Sequence, residues 1–278
     1  MSCSPEDAQP EAGPRVVLIC GCTRGIGRAL FEWFAARGFR VAGCGTCKRE
    51  LEELSEAFPA ALLRAVDVRE EEAVSQWVGA AAEALGPVDL LLCVAGVLPA
   101  PRPLWESSEG EWAHACEVNI LGTARVLRQA VPRLRCPGAV VVLMSSRYGR
   151  SVVRGQGCYS TTKWPAEAMA KTLALELQER GVAAVSLDPG CVNTEMLHRS
   201  CPGGSEWCSQ QRSPADFASE ACPFVLSLTL ADTGRSLTCP GCPPSYYETG
   251  VAYKDRPAWA NGIGPFVRAA EESPPAPE

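Results

Sequence analysis

Residues 15–20 hold a short β-branched apolar run that passes directly into Gly21-Cys22-Thr23-Arg24-Gly25-Ile26-Gly27, and an amphipathic stretch follows at residues 26–37. A strand that is apolar at every position has no face for water, so it must be covered on both sides. Glycines let the backbone reverse tightly after it, and Gly38 is suited to end the helix that follows. Buried strand, tight turn and helix, in that order, form the first half of a βαβ unit and point to a parallel sheet.

The rest of the chain keeps this alternation. Strand patterns lie at residues 39–44, 62–66, 90–94, 139–144, 183–187 and 235–238. Helical patterns lie at 49–57, 70–85, 109–116, 120–134, 159–180 and 215–230, with Gly86-Pro87 and Gly181 as stop signals. The expected fold is α/β: a single Rossmann-type domain, a doubly wound parallel sheet with helices on both faces and right-handed crossovers. Its length, 278 residues, suits one such domain. The expected division is a flexible segment at 1–14, the Rossmann-fold domain at 15–239 and a Pro- and Gly-rich tail at 240–278, disordered at 273–278.

Composition narrows the function. The net charge is −6, which opposes binding to a phosphate backbone, so no nucleic-acid partner is expected. No apolar run reaches the ~20 residues that span a bilayer. Residues 1–14 are polar and resemble neither a secretory signal nor an Arg-rich transit peptide, so a cytoplasmic location is expected. Fifteen cysteines read as reduced thiols in place of Ser, Ala or Val. Cys44/Cys47 and Cys239/Cys242 have CxxC spacing, but neither has a matching second pair or a nearby pair of histidines, so no metal is expected.

The glycine loop has the spacing GxxxGxG, and its strand–turn–helix setting suits a dinucleotide pyrophosphate at a helix N-terminus. An acid at the end of the second strand would hold a ribose 2′-hydroxyl. Here Cys44-Gly45-Thr46-Cys47-Lys48-Arg49 has no acid before Glu50. Arg24 in the loop offers a cation to a 2′-phosphate instead, which favours NADP. Lys48 and Arg49 read equally well as the start of a solvated helix.

Tyr159 and Lys163 stand four apart on an expected helix and share one face. An ammonium beside a phenol stabilises the phenolate and makes the tyrosine a usable general acid near neutral pH. Ser145-Ser146 end a buried strand, where a hydroxyl can meet a substrate oxygen. Asn119 lies between two helical patterns, where a buried amide needs a partner or a catalytic use.

On these residues the chain resembles the short-chain dehydrogenase/reductase family from about residue 15 to residue 239. Gly21, Gly25 and Gly27 match its glycine loop, and Asp67-Val68 match its adenine motif. Asn119, Ser146, Tyr159 and Lys163 match its catalytic tetrad, with Ser146 at the usual offset of thirteen (159 − 146) before the tyrosine. Pro189-Gly190-Cys191-Val192-Asn193-Thr194 match its PGxxxT motif at the nicotinamide carboxamide. The resemblance implies NADP(H) contacts from Gly21, Thr23, Arg24, Gly25, Ile26 and Gly27 in the loop. It implies further contacts from Asp67, Val68, Ala95 and Gly96, from Tyr159 and Lys163, and from Pro189, Gly190, Val192 and Thr194.

By the same resemblance Tyr159 donates the proton, Ser146 polarises the carbonyl, Lys163 binds the nicotinamide ribose and lowers the Tyr159 pKa, and Asn119 helps hold a relay water. A small-molecule carbonyl partner and a homodimer or homotetramer are also implied. Cys93-Val94 replace two amides of the family pattern, and Pro165 falls two residues after Lys163, where it can kink the helix.

Segments 103–106, 149–151, 158–164, 193–197 and 236–238 are similar to the branch that reduces pterin aldehydes with NADPH. The implied function is an NADPH-dependent carbonyl reductase acting on a pterin or similar aromatic aldehyde. Reduction of other small ketones, and a weakly catalytic NADP-binding scaffold, stay open. Trp105 and Trp164 read either as stacking faces for a flat ring or as core.

Overall fold

The computed structural model describes residues 15–200 and 204–242. The apolar run Val16–Cys20 is strand β1, and all five of its residues are buried. Val16, Leu18 and Cys20 face one hydrophobic core, and Val17 and Ile19 face another. This is the period-2 alternation of a strand with helices on both sides.

The other strands are β2 (Arg40–Gly45), β3 (Leu62–Ala65), β4 (Leu90–Cys93), β5 (Val140–Met144), β6 (Ala183–Asp188) and β7 (Ser236–Thr238). The helices are α1 (Gly25–Ala35), α2 (Lys48–Ala57), α3 (Glu71–Leu85), α4 (Glu109–Cys116), α5 (Thr123–Ala130), α6 (Gly157–Glu176), α7 (Glu195–Ser200), α8 (Gly204–Ser209) and α9 (Pro214–Ser227). The sheet order is β3-β2-β1-β4-β5-β6-β7, with every neighbouring pair parallel. The order reverses between β1 and β4, and such a switch point opens a crevice at the carboxyl ends of the strands. Trp77 of α3, Val126 of α5 and Ala170 of α6 fill one core. Phe31 and Phe34 of α1, Leu54 of α2 and Phe217 of α9 fill the other.

The expected doubly wound α/β architecture is therefore present, with local departures. The helical pattern at 120–134 is broken into a π-helical turn at Glu117–Gly122, then α5, then a 3-10 turn at Val131–Arg133. Pro132 supplies no amide to extend α5. Gly122 lets Val68 approach, because a Cβ there would lie 2.5 Å from a Val68 methyl carbon. Helices α7 and α8, six residues each, were not expected, since they are too short to show periodicity. Pro165 is accommodated inside an unbroken α6. The carbonyl that its missing amide leaves unpaired belongs to Thr161, which is exposed to water.

Residues 1–14 and 243–278, including 273–278, lie outside the described residues, so the expectations for those ends stand as expectations. No helix among the described residues is long and apolar enough to cross a membrane. Among the cysteines, Cys20, Cys22, Cys44 and Cys93 are free and buried. Cys208 is disulfide-bonded, which corrects the reading of every cysteine as a reduced thiol; a count of cysteines says nothing about which are brought together.

The α1 face is built on aromatic edges. Phe34 meets Phe39 edge-on at 5.1 Å and Phe31 meets Phe58 at 5.8 Å, both within the favourable range for ring pairs. Phe34 is fully buried. Truncation by Phe34→Ala should cost about 3–5 kcal/mol, read as a lower urea midpoint with an unchanged m-value.

Candidate active site

A cleft of about 660 Å³ opens along the carboxyl ends of the central strands. Its floor begins where β1 stops. Gly21 has φ +93°, and a Cβ there would fall 2.6 Å from the Ala95 nitrogen. At Gly27 a Cβ would fall 1.8 Å from the Gly21 carbonyl oxygen. No side chain larger than hydrogen fits at either position, and the result is a shallow backbone cradle. Helix α1 starts from this cradle, and Arg24 at its N-cap provides no side-chain cap. Its first amides and its positive dipole end thus remain available to an anion. A pyrophosphate fits that donor set.

The expected contacts Gly21, Thr23, Arg24, Gly25, Ile26 and Gly27 line this end of the cleft. Asp67, Val68, Ala95 and Gly96 line the adjoining wall, and Tyr159, Lys163, Pro189 and Thr194 line the far end. Asp67 is held by Arg69, whose Nε and backbone amide both donate to Oδ1 at 3.0 Å. That pairing keeps the Asp67 carboxyl below its usual value.

Two expected contacts, Gly190 and Val192, are not among the residues lining the cleft. Val192 is buried in the core on the α1 side of the sheet. Gly190 takes φ +67°, and a Cβ on it would meet the Cys242 sulfur. Neither lines the cleft. Spacing within a turn cannot show which residues point inward.

Past β2, Gly45 is pressed against Thr23, and Thr46 lines the cleft where an acid was looked for. Glu50 is engaged by Arg28 and Arg49. No free carboxylate therefore faces the ribose from β2. Arg24 is 67% exposed and pairs with Glu195 of α7 at 3.3 Å. An exposed pair of this kind contributes about 0–1 kcal/mol, so a phosphate can displace it.

Tyr159 is buried in α6, with the Ser146 side chain close enough to act on its phenol. The Tyr148 ring meets the Tyr159 ring edge-on at 6.2 Å. Burial pushes the Tyr159 phenol far above its usual value, against the opposing effect of Ser146. This differs from the lowered value the Tyr–Lys spacing suggests. Lys163 lies 5.8 Å from the Tyr159 ring centre and gives its ammonium to the Met144 carbonyl at 2.8 Å. Burial lowers Lys163 to about 8, against the nearby carboxylate of Asp188. A raised phenol keeps its proton and so remains an acid at neutral pH.

Ser145 and Ser146 take different directions. Ser146 begins the 3-10 turn Arg147–Gly149 and accepts the Tyr148 amide at 3.2 Å. The Ser145 hydroxyl donates to Glu167 instead. Arg147 is half-buried, with Cys191 and Asp188 close by; their fields outweigh the effect of burial and hold the guanidinium charged.

Asn119 sits in the π-helical turn, a feature frequent at functional sites. Its Oδ1 accepts the Val97 amide at 2.8 Å, and its Nδ2 donates to Val97 O and Thr162 Oγ1, both at 2.9 Å. Both amide hydrogens are committed to protein, so the side chain pins the loop after β4 to α6. Trp105 and Trp164 are 84% and 50% exposed. They neither line the cleft nor belong to a core; Trp164 is turned about 100° around α6 from Lys163, and Trp105 lies in the 3-10 turn Leu104–Glu106. Leu98, Pro99, His114 and Met196 line the cleft there instead; of these only Met196, within segment 193–197, had been marked by the sequence. Among the described residues no cluster of three or more His, Cys, Asp or Glu could hold a metal ion.

The short chain dehydrogenase family profile matches residues 15–203. An NADPH-dependent pterin aldehyde reductase of Arabidopsis thaliana is 35% identical over 81% of this chain and 93% of its own length. A chloroplastic NADPH-dependent aldehyde reductase-like protein of the same plant is 32% identical over 68% of this chain and 76% of its own. Among solved structures, a variant actinorhodin polyketide ketoreductase with NADPH superposes at a TM-score of 0.72 and 25% identity, covering 82% of this chain and 96% of that one.

The buried lysine has a measurable consequence. Its folded value of about 8 lies below its ordinary 10.5, so between those values the unfolded chain binds more protons. Lys163 therefore adds to stability as pH rises from about 8 to 10.5. Urea midpoints across that window should show this rise in the wild type relative to Lys163→Met, and parallel curves for the two proteins would refute it.

Proposed function

The chain belongs to the short-chain dehydrogenase family, and on that premise we propose that it is an NADPH-dependent carbonyl reductase whose substrate is a pterin aldehyde or a similar aromatic aldehyde. The observation that carries the reading is one cleft with the uncapped glycine cradle at one end and the buried Tyr159 and Lys163 at the other, with Ser146 near enough to Tyr159 to act on its phenol. The cradle and the start of α1 would hold the pyrophosphate of the cofactor, and Lys163 would meet its nicotinamide ribose.

When bound, NADPH supplies the hydride. The Tyr159 hydroxyl gives its proton to the carbonyl oxygen, and the Ser146 hydroxyl bonds the same oxygen and holds it in reach. The phenolate left behind is stabilised by the Lys163 ammonium. Burial excludes water, which strengthens these charge interactions.

Preference for NADPH follows from Arg24, free to exchange Glu195 for a 2′-phosphate, and from the lack of a free acid after β2. A charge-assisted contact that the bound cofactor shields at least partly from water contributes about 1.5–3 kcal/mol, roughly ten- to over a hundredfold in affinity. NADPH should bind tighter than NADH by that factor, and Arg24→Ala should remove most of the difference. Equal dissociation constants for the two cofactors in the wild type would sink the assignment.

The aldehyde class is supported by the likeness to the plant pterin aldehyde reductase, and Arg147, next to Ser146 in the chain, is the charged donor proposed to favour a heterocyclic ring. A rigid flat ring loses little freedom on being placed beside Tyr159. We expect 6-formylpterin to be reduced more efficiently than benzaldehyde, and Arg147→Ala to narrow the gap. Tyr159→Phe should abolish turnover with both while NADPH affinity stays near the wild-type value. If the wild type oxidises NADPH at equal efficiency with both aldehydes, only the general carbonyl reductase remains; if it binds NADPH and reduces neither, the scaffold reading takes over.

A further inference from the structure

Glu167 lies on α6 one helical turn beyond Lys163, and it is buried. The proposed proton transfer does not use it. A carboxylate in such a place is costly unless donors surround it, and here four do. Ser145 Oγ donates to Oε1 at 2.5 Å and Arg150 Nε to the same oxygen at 2.9 Å. Ser186 Oγ and Ser236 Oγ donate to Oε2 at 2.5 and 2.6 Å. Burial alone would raise this carboxyl, but the three hydroxyls and Arg150 outweigh it and hold it below its usual value.

The positions of these donors matter more than their number. Ser145 immediately precedes Ser146, and Arg150 closes the turn that follows it. One carboxylate thus grips the segment carrying Ser146 at both ends. Arg150 extends the grip to β7, donating to Leu237 O at 2.6 Å and Thr238 Oγ1 at 3.2 Å. Between the two ends the segment lies flat on α6: a Cβ on Gly149 would fall 2.5 Å from Ser145 Oγ and 2.9 Å from Lys163 O. Lys163 holds the Met144 carbonyl, so successive turns of α6 hold successive residues at the end of β5.

We propose that Glu167 is a positioning residue for Ser146, clamping residues 145–150 onto α6 so that the Ser146 hydroxyl is held against Tyr159. Its effect on turnover rests on the carbonyl reductase reading, while the clamp itself is measured without turnover. Glu167→Gln keeps the size and loses the charge opposite Arg150, and Arg150→Met releases the other jaw. Hydrogen exchange by mass spectrometry should show faster exchange over residues 145–150 in both variants, with β1 and α1 unchanged. Steady-state kinetics with an aromatic aldehyde should show kcat down about ten- to a hundredfold, the scale of a misplaced reacting group. KM for the aldehyde and Kd for NADPH should stay within about twofold. The double variant should lose no more than the worse single one, because both act on the same clamp.

Wild-type exchange over 145–150 in Glu167→Gln, together with wild-type kcat, would overturn the proposal. So would faster exchange across the whole sheet with NADPH affinity falling as far as kcat, since Glu167 would then only support the fold. If the wild type reduces no carbonyl, the functional reading fails by itself, and the exchange pattern still decides the clamp.

Discussion

At the carboxyl end of β1 the Cys20 carbonyl receives two amides, those of Val94 and Ala95, while the Cys44 carbonyl receives those of Gly21 and Cys22. Each strand thus hands its last bond to the loop beyond its neighbour. The chain can pass there only because Gly21 and Gly27 have no side chains, with backbone atoms already where a Cβ would stand. This crowding turns the chain from β1 into α1, leaves the first amides of α1 uncapped and sets the floor of the cleft. The reversal of strand order at the same place opens the crevice above it.

The second half of the site depends on how α6 is buried. Its inner face carries Tyr159, Lys163 and Glu167 at successive turns, and all three are withdrawn from water. The same loss of hydration acts on each according to its charge. It raises the phenol, lowers the ammonium, and would raise the carboxylate if four donors did not reverse it. A phenol that keeps its proton suits reduction. The ammonium nearby is held by the Met144 carbonyl rather than by a carboxylate, so its charge stays available to a phenolate. Protonation states are thereby set by packing as much as by residue identity.

Several residues show how far local pattern reaches. Tyr159 and Lys163 could be paired from spacing because an α-helix brings i and i+4 together wherever it lies. Asn119 was recognisable as a residue that needs partners, but those partners, Val97 and Thr162, come from a distant loop and from α6. Val192 belongs to a recognisable motif yet faces the core, and Trp164 follows Lys163 directly yet faces solvent. The acid after β2 was correctly found missing. That Glu50, the next acid along, is also unavailable emerged only once Arg28 and Arg49 were seen to engage it.

The sequence alone determined the alternation of strands and helices, the buried character of the central strands, the glycine cradle and the tyrosine–lysine pair. Each of these depends on contacts within a few residues, where covalent geometry and helical or strand period leave little choice. The tertiary structure decided what depends on elements far apart in the chain. It wound the stretch around Asn119 into a π-helical turn, turned Ser145 toward Glu167, and gathered Ser186, Ser236 and Arg150 around the same carboxylate. Those donors lie 19, 69 and 17 residues from Glu167 along the chain. No period or motif links them, because only the stacking of β5, β6 and β7 against α6 brings them within hydrogen-bonding distance.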